Sequence, residues 1–314
     1  MKPFSQPKDL WSVVLAGGEG ERLRPLMQRW LGRHTPKQYC TFIGTRSMLQ
    51  HTLDRADQVS PPKQKVTVIA RAHEGHAKPQ LAGRQSGKVL LQPNNRDTAA
   101  GIYLALTFVR QQDPEATVVI FPSDHFVYPE DRFIEVVWTA VAAARELKVH
   151  LVLLGVCPDK LELEYGWIQP GPHLSWVNGH RVRATQAFLE KPSLDRCLSA
   201  MAAGALWNTL ILAARVETLW ALGWDCFAEM MPLFDTYGEA VGTPQEGAVL
   251  DAVYSLVPAH SFSKHLLESL PQQVAVMELS GVLWSDWGRP ERIVETLGHL
   301  GKQPLFSLAP AAGL

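Results

Sequence analysis

A glycine-rich turn follows the first apolar run of this chain, reading Leu15-Ala16-Gly17-Gly18-Glu19-Gly20-Glu21-Arg22-Leu23. Glycines let backbone N–H groups come close to anionic oxygens, and the turn after a first strand is where open α/β sheets bind phosphates. The turn does not end in Gly-Lys-Ser/Thr, so it is not a Walker A loop. It is not a dinucleotide fingerprint either. Leu23 stands where a third Gly or Ala belongs, and no Asp or Glu occurs between Glu21 and Asp54 to hold a ribose. That acid-free stretch carries Arg22, Arg24, Arg29, Arg33, Lys37 and Arg46. Such a run is ordinarily a solvated face. Opening directly from a glycine loop, it suits a polyphosphate substrate.

Other segments offer carboxylates. The apolar run Thr117–Phe121 ends in Pro122-Ser123-Asp124-His125. An Asp at the C-terminal end of a central strand either holds a Mg²⁺ or caps the next turn. His125 fits an orienting or packing role better than acid–base chemistry. In Gln92-Pro93-Asn94-Asn95-Arg96-Asp97-Thr98, Asp97 or Thr98 is placed to cap a helix. Glu190-Lys191, taken alone, reads as an exposed pair at a strand end. His73-x-x-His76 has metal-like spacing but no third ligand, which favours a surface helix or loop.

The run Gly17 to Leu26, followed by Pro36-Lys37-Gln38, resembles the signature of the sugar-phosphate nucleotidylyltransferases. Pro-Lys-Gln is similar to the mannose-1-phosphate guanylyltransferase branch. The resemblance extends in order through Pro122–His125, Tyr165-Gly166-Trp167-Ile168, Glu190-Lys191-Pro192, Trp207-Asn208 and Trp284-Ser285-Asp286-Trp287-Gly288, from about Trp11 to Leu300. It implies transfer of GMP from GTP to α-D-mannose 1-phosphate, with Mg²⁺ as cofactor and GDP-mannose and pyrophosphate as products. By the same resemblance, Arg22, Lys37 and Asp124 are catalytic. Leu15, Ala16, Gly17, Gly18, Gly20, Gln92, Asn95, Thr98 and Ser123 bind the nucleotide. Gly166, Glu190, Lys191 and Asn208 bind the sugar phosphate, and Asp124 and Asp286 hold the metal.

Two departures qualify that reading. Glu162-Leu163-Glu164 replaces a small or polar lead-in, and Thr209-Leu210 follows Asn208 where the family has a small residue and Gly. The same chemistry on another nucleotide or sugar is the nearest alternative. A nucleotide-sugar-binding regulator without catalysis is the alternative of another class.

These residues need elements to position them. Ser12–Ala16, Val66–Ala70, Val89–Leu91, Thr117–Phe121 and Leu151–Val156 are continuous Val/Ile/Leu-rich runs, the pattern of parallel strands covered on both faces. Helical patterns at Ser47–Gln58, Thr98–Gln111 and Asp131–Lys148 alternate with them. Beyond residue 157, Thr185–Leu189, Ala205–Ala213 and Val274–Leu279 read as strands. Helical segments fill Val216 to Ser269, and a last helix spans Pro290–Leu300. The fold class is α/β: a Rossmann-like doubly wound mixed sheet of the nucleotidylyltransferase type, without a C-terminal β-helix. One catalytic domain over 1–301 divides into a nucleotide part (about 11–156) and a sugar-phosphate part (about 157–300). A short tail, 302–314, is too small for a second catalytic half.

Of the 314 residues, 46% are hydrophobic and 19% charged, with a net charge of −1, which argues against disorder and against a basic field for nucleic acid. No apolar run is long enough to span a membrane, and the N-terminus lacks a signal-peptide core. Cys40, Cys157, Cys197 and Cys226 show no paired spacing and read as reduced, buried hydrophobes of a cytoplasmic protein. A homodimer is left open.

Overall fold

Val13 and Val14 are neighbours in sequence and lie in different hydrophobic cores. Successive strand side chains point to opposite faces, so a strand apolar at every position fills two cores at once. The computed structural model describes residues 7–307. Its strands are β1 (Leu10–Ala16), β2 (Lys65–Ala70), β3 (Lys88–Gln92), β4 (Thr117–Pro122), β5 (Phe126–Tyr128), β6 (Leu151–Val156), β7 (Gly166–Val177), β8 (His180–Glu190), β9 (Leu206–Arg215), β10 (Val274–Glu278) and β11 (Leu283–Ser285). The helices are α1 (Arg24–Leu31), α2 (Met48–Val59), α3 (Glu74–Leu81), α4 (Asp97–Gln112), α5 (Glu130–Leu147), α6 (Leu194–Ala202), α7 (Val216–Cys226), α8 (Met231–Ala240), α9 (Glu246–Leu256) and α10 (Pro290–Gly298).

Nine strands form one mixed sheet in the order β3-β2-β1-β4-β9-β6-β10-β8-β7, and β11 pairs with β5 apart from it. β3, β2, β1 and β4 are parallel, as the apolar runs require. α4, α7, α8 and α9 cover one face, and α2 and α5 cover the other. Ser47 starts α2 with a capping box: its hydroxyl accepts the Gln50 N–H at 3.2 Å, and Gln50 Oε1 accepts the Ser47 N–H at 3.0 Å. A third cluster joins α1 and α10 through Leu26, Met27, Phe42, Trp287, Ile293 and Phe306. Part of the 302–314 tail therefore packs back onto the body; its last seven residues lie outside those described.

Two features go beyond the sequence pattern, and one expectation, the burial of Cys157, is corrected. β9 inserts antiparallel between β4 and β6, so the first-half strands are not all neighbours. Leu212 of β9 pairs with Ile120, near the C-terminal end of β4, and Leu210 lines the same cavity as Asp124. Gly166–Val177 is a twelve-residue strand despite Pro170, Gly171 and Pro172, because its register against β8 shifts at those residues. Cys157 is exposed, whereas Cys40 and Cys197 are buried and Cys226 is partly so. No helix among the described residues is long and apolar enough to cross a membrane.

Candidate active site

β1 delivers the glycine loop to the C-terminal edge of the sheet, and a short helical turn at Lys37–Tyr39 fixes its shape from behind. Gln38 Nε2 donates to the carbonyls of Ala16 at 3.0 Å and Gly18 at 2.8 Å, and the Tyr39 hydroxyl donates to Ala16 at 3.1 Å. These bonds tie up loop carbonyls. Gly20 needs its φ of +65°, and a Cβ there would lie 3.0 Å from the Lys37 backbone nitrogen. Gly17 is glycine for a different reason: a Cβ would lie 2.5 Å from Gln92 Oε1. The sequence marks Pro-Lys-Gln as a signature but assigns Gln38 and Tyr39 no task.

In front of the loop lies a cavity of about 550 Å³, lined by Leu15, Gly17, Gly18, Gln92, Asn95, Thr98, Ser123 and Asp124, with Asp97, Leu210 and others. Eight of the residues expected from the sequence thus meet in one place. Ala16 and Gly20 shape the loop rather than the wall. Gln92 is buried and donates to the Tyr254 hydroxyl at 3.2 Å. The start of α4 differs from expectation: Asp97 adopts a φ of +61°, and its carboxylate accepts the Thr98 N–H at 2.6 Å. Thr98 Oγ1 instead accepts the Phe262 N–H at 2.8 Å, and the His260 carbonyl accepts the Ala99 N–H at 3.0 Å. A second cavity of about 620 Å³ opens beyond His125, with Phe42, Phe126 and Trp287 among its walls. It lacks the glycine-loop residues Gly17 and Gly18, which line the first.

The charged residues form a chain of contacts beside that cavity. Lys37 is buried; its Nζ lies 3.0 Å from Asp124 Oδ2 and also donates to the Asp286 carbonyl. Burial alone would push the Asp124 carboxyl up, but the Lys37 ammonium and His125 outweigh it and hold it below the usual range. The Asp286 carboxyl is held far lower, burial being overcome by Lys37, Arg292, Arg22 and the Gly288 N–H. Its Oδ1 accepts from Tyr165 Oη and Arg292 Nη1, each at 2.8 Å, and from the Gly288 N–H at 2.9 Å. Its Oδ2 accepts from Arg22 Nη2 at 3.0 Å. Glu162, from the departing segment, is buried against Arg292. Of the basic run, only Arg22 and Lys37 reach this cluster. Arg24 pairs with Glu21 and Arg46 with Asp54, so that part is the solvated face. Burial pushes the His125 imidazole down, and the ring packs on Trp284.

A third group of expected residues gathers around β7, β8 and β9. A Cβ on Gly166 would lie 3.1 Å from Glu190 Oε2 and 3.2 Å from Asn208 Cβ, so these three are in contact. Burial pushes the Glu190 carboxyl up, Lys191 opposes, and Glu268 and Asp97 add to the rise. Asp97 therefore links this group to the first cavity. Lys191 has a φ of +46° and a side chain 66% exposed. Asn208 Oδ1 accepts the Leu210 N–H at 2.8 Å. Leu210, at the family's Gly position, has a φ of +55°, lines the cavity and packs against the core. Between the β6–β9 pairs at Leu153 and Gly155, β9 runs from Leu212 back to Asn208, and the excess residues bulge there.

His73-x-x-His76 is not a metal pair. His73 is buried with Nε2 3.2 Å from Glu19 Oε2, and His76 stacks on Tyr39. Among the described residues no group of three or more His, Cys, Asp or Glu could hold a metal. A cation at Asp124 and Asp286 would rest on two carboxylates and on substrate oxygens, a donor set that fits Mg²⁺. Asp124 is 38% exposed toward the cavity side, and Arg22, which holds Asp286 Oδ2, is half exposed and can be exchanged.

A profile of the nucleotidyl transferase family matches residues 11–302. The xanthan biosynthesis protein XanB of Xanthomonas campestris pv. campestris (strain B100) is 29% identical over 273 residues, covering 86% of this chain and 54% of that protein. The mannose-1-phosphate guanylyltransferase of Sinorhizobium fredii (strain NBRC 101917 / NGR234) is 28% identical over 295 residues, covering 88% and 52%. The chain thus spans about half the length of these curated relatives. Among solved structures, the mannose-1-phosphate geranyltransferase from Thermus thermophilus superimposes with a TM-score of 0.76 at 27% identity, over 92% of this chain and 79% of the other.

Proposed function

We propose that this chain, which belongs to the nucleotidyl transferase family, transfers GMP from GTP to α-D-mannose 1-phosphate and releases pyrophosphate. The observation that carries the reading is Lys37, buried between Asp124 and Asp286 beside the glycine-loop cavity. A cation held by two aspartates next to converging amides is suited to a reacting polyphosphate. The names of the guanylyltransferase relatives support guanine and mannose 1-phosphate as the substrates.

In this reading residues 11–156 hold the nucleotide and 157–300 the sugar phosphate. The amides of Gly17, Gly18 and Gly20 cradle the triphosphate, while Gln92, Asn95 and Thr98 face base and ribose. Gly166, Glu190 and Asn208 contact the sugar, and Lys191 neutralises its phosphate. A sugar-phosphate oxygen is already an anion at pH 7, so no general base is needed. It forms a bond to the α-phosphorus as the bond to the bridging oxygen breaks, and pyrophosphate carries the charge away. The chain's work is positioning two anions and offsetting their repulsion. Lys37 would stabilise the transition state and the leaving pyrophosphate. Asp124 and Asp286 would hold Mg²⁺, which supplies Lewis-acid neutralisation of phosphate oxygens.

The test is a panel of nucleoside triphosphates with mannose 1-phosphate and Mg²⁺, read as pyrophosphate release. GTP should exceed the other triphosphates in kcat/KM. Preference for another base would move the reading to a sibling activity. Binding of GDP-mannose with no pyrophosphate release from any pair would make the chain a regulator.

A further inference from the structure

Arg22 opens the basic run beside the glycine loop, yet its guanidinium is turned to two carboxylates. Nη1 donates to Glu164 Oε2 at 2.9 Å, and Nη2 donates to Asp286 Oδ2 at 3.0 Å. Gly288 closes the seat. A Cβ there would lie 2.6 Å from Cζ and from both terminal nitrogens, so the flat guanidinium rests where any side chain would intrude. Glu164 is itself fixed by Arg289, with Nε at 3.1 Å and Nη2 at 2.9 Å, and by Arg292 Nη2 at 3.3 Å. The Arg22 side chain is 50% exposed, so ion pairs and shape rather than burial define its position.

We infer that Glu164 and Gly288 form a seat that competes with bound phosphates for Arg22, making Glu164 a positioning residue for triphosphate binding and pyrophosphate release. The inference rests on the reading above and adds a residue from the segment that departs from the family pattern. Guanidinium binds phosphate in the same forked geometry as carboxylate, so the two are direct rivals. With Glu164 32% and Arg22 50% exposed, the pair between them is worth little, and removing its charge is a matter of severalfold affinity. A rival of that strength lets the triphosphate draw Arg22 over. It also offsets the loss of the phosphate contact when pyrophosphate leaves.

The test is equilibrium titration of GTP, and separately of inorganic pyrophosphate, into wild type, Glu164→Gln and Gly288→Ala. Glu164→Gln keeps an acceptor and removes its charge, so both ligands should bind about two- to fivefold more tightly. Gly288→Ala pushes the guanidinium from the other side and should act in the same direction; it decides the matter if Glu164→Gln fails to fold. In an Arg22→Gln background the gain from Glu164→Gln should vanish. Unchanged or weaker binding in both variants overturns the seat, as does an equal gain without Arg22, which would be a general field effect of freed Arg289. If wild type binds neither ligand, the assignment of the loop to a polyphosphate fails, and the inference fails with it. If wild type binds and the variants do not differ, the seat alone fails.

Discussion

Lys37 and Lys191 are the two lysines proposed to face substrate anions, and the fold holds them in opposite ways. The Lys37 side chain is 5% exposed, locked between Asp124 and the Asp286 carbonyl. The Lys191 side chain is 66% exposed, with Glu190 at 3.9 Å. The same contrast runs through their surroundings. Asp286 has four side-chain or backbone donors on its carboxylate. At the other end Glu190 sits near Glu268 and Asp97 with its carboxyl pushed up, and Leu210 and Lys191 hold left-handed backbone angles. A preorganised phosphate end suits chemistry common to many substrates. A strained, half-open end, proposed to take the sugar, is where selectivity can be set by one or two side chains.

The largest effect should come from the preorganised end. Asp124→Asn removes the charge that Lys37 opposes, and turnover should fall by about 10²-fold or more. The amide keeps an acceptor for Lys37, and the Asp286 carbonyl still accepts from it, so the fold should survive, which circular dichroism and Tm can check. Wild-type turnover at saturating Mg²⁺ would remove Asp124 from the mechanism and erase the contrast.

Lys191→Ala should act on one substrate. KM for the sugar phosphate should rise about tenfold, the lower end for a charged hydrogen bond because the side chain is exposed. KM for GTP should change by less than about twofold. The reverse split would mean that both lysines serve the nucleotide.

Leu210→Gly should have the smallest effect. Relief of the left-handed angle stabilises by about 1–2 kcal/mol, and loss of half-buried packing costs about as much, so Tm should hardly move. The cleft should widen, lowering KM for mannose 1-phosphate severalfold and loosening discrimination among hexose 1-phosphates. A clear fall in Tm with unchanged selectivity would make Leu210 a core residue and nothing more.

The phosphate end is far more legible in the sequence than the groups that support it. Val13, Val68, Ile120 and Leu153 sit in continuous apolar runs because parallel strands are covered on both faces, and the glycine loop is punctuated by residues that only a close backbone approach requires. β7 carries Pro170, Gly171 and Pro172, residues that weaken a strand pattern, and β8 accommodates them with shifts of register. The insertion of β9 has no local signal, since Leu212–Ala214 is equally apolar in either direction. Asp124 and Asp286 can be paired through the family resemblance. The Glu162–Arg292 pair, the Tyr165–Asp286 bond and the seat of Arg22 cannot, because each joins residues more than a hundred positions apart. His73 is buried rather than at the surface for a related reason: its partner, Glu19, lies in a distant loop.

The proposed reaction is direct transfer between two substrates held side by side, with no residue of the chain becoming covalently guanylylated. The most direct test uses GTPαS of a single configuration at the α-phosphorus with mannose 1-phosphate, the configuration of the product being assigned by ³¹P NMR. One in-line attack inverts that centre, and inversion is the result predicted. Retention would require two successive displacements through a covalent intermediate, and would rule direct transfer out.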